Sequence, residues 1–311
     1  MRRRPAAHRT FPRFGEPMEI LVTQIFNGLS VGSILLLAAL GLALTFGQMG
    51  VINMAHGEFI MAGAYTAFVV QQALGAAGLS LLLSLPLAFL IGGLLGVVLE
   101  ATLLRRMYHR PLDTLLVTWG VSLVLQQAAR DVFGTAGVDV PAPGWLSGPI
   151  EILGFDFPRS RVFILVLSLL AVGVVLALLK YTSLGRRIRA TVQNRQLAET
   201  SGISTRRTDM LTFFIGSGLA GVAGVALTLM GSISPNLGTS YIVDAFLVVI
   251  VGGLGQLRGA IIAAFVLGVA QSWIEYSTSA SIAKVLVLAL VVAFLQFRPQ
   301  GIFALRTRSL V

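Results

Sequence analysis

The chain contains no cysteine, which excludes disulfides, thiolate metal sites and cysteine nucleophiles and leaves the redox compartment unread. Histidine is nearly as scarce. His8, His56 and His109 lie far apart in the sequence, so no metal site is expected. Charge is thin as well: 12% of the 311 residues are Asp, Glu, Lys or Arg, against about a quarter in soluble domains, while 56% are hydrophobic. A phosphate-binding loop needs G-x-x-x-x-G-K-[S/T], and neither lysine, Lys180 or Lys284, follows a glycine. No catalytic residue and no cofactor are expected in this chain; if it works against a gradient with ATP, the ATP sits on partner subunits.

What the chain does have is long apolar runs of the length needed to cross about 30 Å of hydrocarbon. Spans are expected near 20–46, 57–77, 79–104, 112–131, 161–180, 209–230, 241–255, 259–277 and 282–298. The seventh is short and flanked by Gly252, Gly253 and Gly255, so it reads as a broken or re-entrant segment and the total as eight or nine. The fold class is therefore all-α, a polytopic transmembrane helix bundle in contact with membrane lipid, with a single domain over 18–308. Glycines 92, 93 and 96 and glycines 216, 218, 221 and 224 mark helix faces able to approach closely.

Charge sets the orientation. On nine spans, Arg105, Arg106 and Arg110, the cluster from Lys180 to Arg207, Arg258, and Arg298, Arg306 and Arg308 all fall on one side, which the positive-inside rule makes cytoplasmic. The net charge of +10 is thus a topology signal and not a nucleic-acid footprint. The proline-bearing 132–160 loop falls outside, with Arg130, Arg159 and Arg161 dissenting. Residues 1–17 also dissent: they carry five arginines on what would be the outer side and show no signal-peptide core. Translation starting at Met18 would make them an untranslated extension.

The 180–209 segment gathers Lys180, Arg186, Arg187, Arg189, Arg195, Arg206 and Arg207 in one cytoplasmic loop. Within it Ala190, Asn194, Ala198 and Gly202 recur every four residues, which on a helix lays small side chains along one face. Such a strip is expected to dock into a groove on a partner protein.

The second constellation is Gly47-Gln48-Met49-Gly50-Val51-Ile52-Asn53-Met54-Ala55-His56-Gly57-Glu58-Phe59. Gln48, Asn53, His56 and Glu58 interrupt two apolar spans amid glycines that weaken helix continuity. A carboxylate within a span costs roughly 2.5–3.5 kcal/mol on insertion scales, so Glu58 needs a partner or water. Two readings stand: a broken helix exposing these groups to a solute pathway, and an acid favouring the positive end of the following helix. Asp244 is a second acid of the same two kinds, a pathway group or a helix N-terminal acid of the seventh span. Glu100 and Glu275, near span ends, are expected to snorkel or pair. Neutral groups such as Gln24, Asn27, Gln126 and Ser217 suit a small neutral polar solute better than an ion.

Ile52-Asn53-Met54-Ala55-His56-Gly57-Glu58 resembles the I-N-x-A-H-G-E hallmark of the branched-chain amino acid type ABC permeases. Ala190 through Gly202-Ile203, followed by Asp209-Met210-Leu211-Thr212-Phe213, resembles that family's ATPase-coupling segment; Val248 through Gly259 resembles a third block. Within the family, Gly47 to Met54, Val192-Gln193-Asn194-Arg195 and Ser240 to Asp244 resemble the urea-transport branch, because the amino-acid branch tends to carry an acidic pair near Gln193 and Asn194. The resemblance implies a permease subunit in the bacterial inner membrane that imports urea. It also implies a second, different permease subunit, two ATP-binding subunits and an extracytoplasmic solute-binding protein. Ala190, Asn194, Arg195, Ala198, Gly202 and Ile203 carry over as the coupling residues. Import of branched-chain amino acids or short amides is the alternative. More distant rivals are a proton-coupled secondary transporter using Glu58 and Asp244, and a passive channel.

Overall fold

A computed structural model describes residues 16–108, 110–152 and 154–303. The expected extension at 1–17 lies almost wholly outside them, as do Arg306 and Arg308. Each of the nine expected spans coincides with one helix: α1 (Glu16–Met49), α2 (His56–Leu74), α3 (Ala77–Thr102), α4 (Pro111–Phe133), α5 (Arg159–Tyr181), then, beyond two short helices, α8 (Thr205–Leu227), α9 (Leu237–Gly252), α10 (Leu257–Ser277) and α11 (Ala280–Phe297). The two short helices, α6 (Ser183–Gln193) and α7 (Arg195–Thr200), form a hairpin between α5 and α8.

Among the described residues, six of the nine helices are long and apolar enough to cross a membrane on length and composition alone. The other three fall short for physical reasons. α2 and α4 dilute their hydropathy with inward polar groups, and α9 has 16 residues, about 24 Å of helix. As the glycines around the seventh span suggest, α9 ends at once: Gly253 has φ +100°, and a Cβ there would meet the Phe303 carbonyl at 2.2 Å.

The core is α1, wrapped by α8, α10, α9 and α5, with α2 and α3 stacked on α8. Small residues set the spacing. On α8, Gly218 and Gly221 meet Phe89 and Ala88 of α3, while Gly92 and Gly96 of α3 meet Ser217. α4, α5 and α11 lie outermost, with Leu116, Val124, Leu170, Val174, Val285 and Val292 exposed, as membrane-facing helices require. Between α4 and α5, strands β1 (Pro149–Ile152) and β2 (Phe155–Pro158) pair antiparallel, Pro149 opposite Pro158 and Ile152 opposite Phe155. A single bridge, Val138 to Ile233, ties this segment to the α8–α9 connection.

Two expectations are corrected here. The four-residue strip does not form, because Asn194 is extended (φ −157°, ψ 106°), ending α6 and capping α7 by accepting from Leu197 N. Ala198 is buried in its own hairpin and Gly202 turns the chain at φ +82°, so the spacing reflects capping and turning. Asp244 stands in mid-α9, not in its first turn. Glu100 takes the second of its two expected outcomes: at 2% exposed it does not snorkel but is partnered, by the Tyr108 hydroxyl.

Candidate functional site

α1 ends at Gly50, whose φ of +64° reverses the chain. α2 does not begin there. Residues 51–55 run back as non-helical backbone, with Val51, Asn53 and Ala55 buried, until His56 Nε2 donates to the Ala38 carbonyl at 3.0 Å. Ala38 precedes Met49 by 11 residues, about 16 Å along the axis, so α2 starts well inside the bundle. Non-helical backbone at this depth persists only where protein or a cavity satisfies it. Here α4 does so: Thr118 Oγ1 accepts from Met54 N at 3.0 Å. The Gly57–Gly238 crossing then brings α2 against the start of α9; a Cβ on Gly57 would lie 2.5 Å from the Gly238 carbonyl.

On α4, Thr114, Thr118, Ser122 and Gln126 follow at four-residue intervals and are all buried, while Leu112, Leu116, Trp119 and Leu123 face outward. This inward polar stripe meets Glu58. Its Oε1 accepts from Ser122 Oγ at 2.8 Å and from Gln126 Nε2 at 2.9 Å. Gln126 Nε2 also reaches Thr239 Oγ1 at 2.9 Å, and Arg130 donates to Asn236 Oδ1 at 2.8 Å. Glu58 is thus a first-turn acid of α2, and it has the partners that a carboxylate within a span needs. Its Oε2, both polar atoms of the Asn53 side chain, and His56 Nδ1 are buried with no hydrogen-bond partner among the described residues. Buried polar atoms ordinarily find a partner, so these four mark the break as the polar part of the bundle interior.

Gln48 belongs elsewhere. It donates to Asp209 Oδ1 at 2.7 Å, and its own carbonyl accepts from Thr212 Oγ1. Asp209, fully buried on α8, is bridged by Arg195 of α7 at 2.5 Å. Arg195 also lies 3.7 Å from Glu199 and stacks over Tyr108, 5.3 Å from the ring centroid. Tyr108 in turn donates to Glu100 Oε1 at 2.8 Å. Burial first, and then the Asp209 and Glu100 charges, push the Tyr108 hydroxyl above its ordinary range, so it stays a donor. The Asp209 carboxylate is fully buried, so losing Arg195 would leave it uncompensated, and the pair is a joint tying the hairpin to the bundle. Asp244 lies apart from both groups, 3.4 Å from Lys284 of α11.

The five expected pathway residues therefore divide three ways: Asn53, His56 and Glu58 together, Gln48 in the joint, Asp244 against α11. Of the expected coupling residues, Arg195 anchors the hairpin, Asn194 caps it, Ala198 packs within it, and Ala190, Gly202 and Ile203 frame it. The reading of the residues missed the α4 stripe and the Arg195–Asp209 pair. The stripe was visible as polar residues every four positions in an apolar run. The pair had only a weak signal, an acid one turn into a span.

By architecture this is a polytopic helical membrane protein: an apolar bundle with a broken helix inside and a basic hairpin at one end. The chain belongs to the family described as branched-chain amino acid transport system, permease component, which it matches over residues 24–295. It is 32% identical over 289 residues to the high-affinity branched-chain amino acid transport system permease protein LivH of Salmonella typhimurium, covering 90% of this chain and 94% of that one. Against BraD of Pseudomonas aeruginosa, a high-affinity branched-chain amino acid transport system permease protein, it is 30% identical with the same coverage. Against a probable branched-chain amino acid transport permease, LivH, of Methanocaldococcus jannaschii, it is 29% identical over 87% of this chain and 88% of that one. No solved structure matches the chain significantly. The chain is a multi-pass protein of the cytoplasmic membrane.

Proposed function

We infer that the chain is one of two transmembrane subunits of an ATP-driven importer whose solute is a branched-chain amino acid or a molecule of that size and polarity. The observation that carries this is relationship over nearly the whole length to permeases named for that solute class. A second, different permease subunit, two ATP-binding subunits and an extracytoplasmic binding protein complete the machine.

The geometry supplies a mechanism for it. The basic end, with the α6–α7 hairpin, faces the cytoplasm and the ATPases. Movement of the hairpin pulls on Asp209 of α8 and Gln48 of α1 through Arg195. The end of α1 continues directly into the 50–55 break, so the same pull displaces Asn53, His56 and Glu58 relative to α4. Beside the break α4 is held by its polar stripe, whose hydrogen bonds exchange with water or solute more readily than the apolar Tyr65–Phe133 packing further along the same helix. The route opens beside Glu58.

Urea import is the competing reading. It rests on the resemblance of Gly47 to Met54, Val192 to Arg195 and Ser240 to Asp244; of these residues Gln193 and Asn194, where the amino-acid branch tends to be acidic, are exposed in the hairpin, away from the Glu58 group. They bear on how the ATPase is gripped, not on what passes. A proton relay through Glu58 and Asp244 has less support, since the two acids belong to separate networks. The test is uptake after deletion of this gene. Loss of labelled leucine uptake with urea uptake unchanged supports the reading; the reverse pattern would put urea in its place.

A further inference from the structure

At the end of the bundle opposite the hairpin, the first half of α1, the start of α5 and the end of α10 enclose a cleft of about 220 Å³. Its wall is polar, formed by Gln24, Asn27, Arg161, Ser272, Glu275 and Tyr276, with Val31 as an apolar patch. Arg161 is fixed by donating to Asn27 Oδ1, which leaves the rest of its guanidinium free to bind. Gln24 is 9% exposed; its carbonyl oxygen accepts from Ser272 Oγ at 2.8 Å, and its Nε2 has no hydrogen-bond partner among the described residues. Among the same residues, Glu275 forms no salt bridge, and Arg161 does not reach it although both line the cleft. A cation and an anion held apart across a small polar cavity invite a ligand that carries the opposite charge at each end.

We propose that this cleft binds a zwitterionic α-amino acid, with Arg161 and Gln24 taking its carboxylate, Glu275 its ammonium, and Val31 meeting an aliphatic side chain. The assignment rests on the amino-acid reading of the function and deepens it. The cleft is smaller than the roughly 300–1,000 Å³ of drug-sized sites, which fits a solute of this size. It lies at the face where a binding protein would release its cargo, while the Glu58 group lies deeper, so the cleft is an entry site. A neutral solute such as urea would leave Arg161 and Glu275 both unpaired and gain nothing from their separation. A phosphatidylethanolamine headgroup shares the ammonium-plus-oxyanion chemistry, so the test must tell the two apart.

The assembled complex in phosphatidylglycerol nanodiscs, without binding protein, is titrated with labelled L-leucine. Saturable binding is expected, weakened about ten- to a hundredfold by Glu275→Gln and by Arg161→Gln, the range for losing one charge-assisted contact. 4-Methylpentanoate and isoamylamine, which are leucine without its ammonium and without its carboxylate, should compete more weakly by a similar factor. Glu275→Gln should leave thermal stability unchanged, because that carboxylate holds nothing together among the described residues, so it remains informative if Arg161→Gln folds poorly. Leucine binding indifferent to both substitutions would overturn the assignment, as would a cleft that phosphatidylethanolamine fills and leucine cannot. The two readings fail separately. Uptake with indifferent binding sinks the cleft alone; leucine bound at the cleft by a complex that never accumulates it sinks the function reading alone.

Discussion

At the scale of single residues, Glu58 decides between transport mechanisms. Its carboxylate accepts from Ser122 and Gln126 and has one oxygen to spare. In a gate worked from the cytoplasm, that group needs only to be a hydrogen-bond acceptor. Glu58→Gln should therefore keep leucine uptake within roughly fivefold of normal, since neutral bonds replace charge-assisted ones at a cost of about 1 kcal/mol. A proton carrier would lose transport altogether in that variant. Gln126→Leu should be the more damaging change. It removes the bond to Glu58 and the link to Thr239 at once and leaves a buried acid half-satisfied, a loss of about 1–3 kcal/mol measurable as a lower melting temperature in detergent. The need for a Glu58 partner was legible, because a carboxylate in an apolar span is costly. Which partner it takes was not: Ser122 and Gln126 are more than sixty positions away, and only packing brings α4 to α2.

At the scale of elements, the hairpin shows how a correct location can hide a wrong geometry. Charge density and small residues marked 180–209, but spacing alone treats the segment as one helix. Asn194 accepts a backbone N–H in an extended conformation and so divides it into two. Ala198 then faces the protein and Leu197 faces out, 63% exposed. Two substitutions at adjacent positions should consequently fail in different ways. Ala198→Trp overpacks the hairpin and should cost about 1–3 kcal/mol of stability, seen as lost yield. Leu197→Asp should leave the bundle intact and abolish co-purification of the ATP-binding subunits. If Leu197→Asp retains them, the docking face lies elsewhere on the hairpin.

At the scale of the whole molecule, nine apolar segments were enough to give the nine long helices and their order, six by length and hydropathy alone and α2, α4 and α9 as apolar runs that are shorter or diluted by polar groups. The 50–55 break was foreshadowed by its glycines and polar residues; its depth was not. That depth follows from His56 reaching Ala38, a contact between segments that sequence periodicity does not join. The break and the hairpin lie on the two sides of one path: Arg195 to Asp209, Asp209 to Gln48, and Gln48 through the end of α1 to Asn53. On the proposed mechanism, such a bundle would move solute only when something outside it moves the hairpin. The complete complex, with its binding protein, reconstituted in liposomes should accumulate leucine against a gradient only with ATP at the hairpin side, and a proton gradient in place of ATP should give none. Uphill accumulation by this chain alone, driven by an ion gradient, would contradict the account.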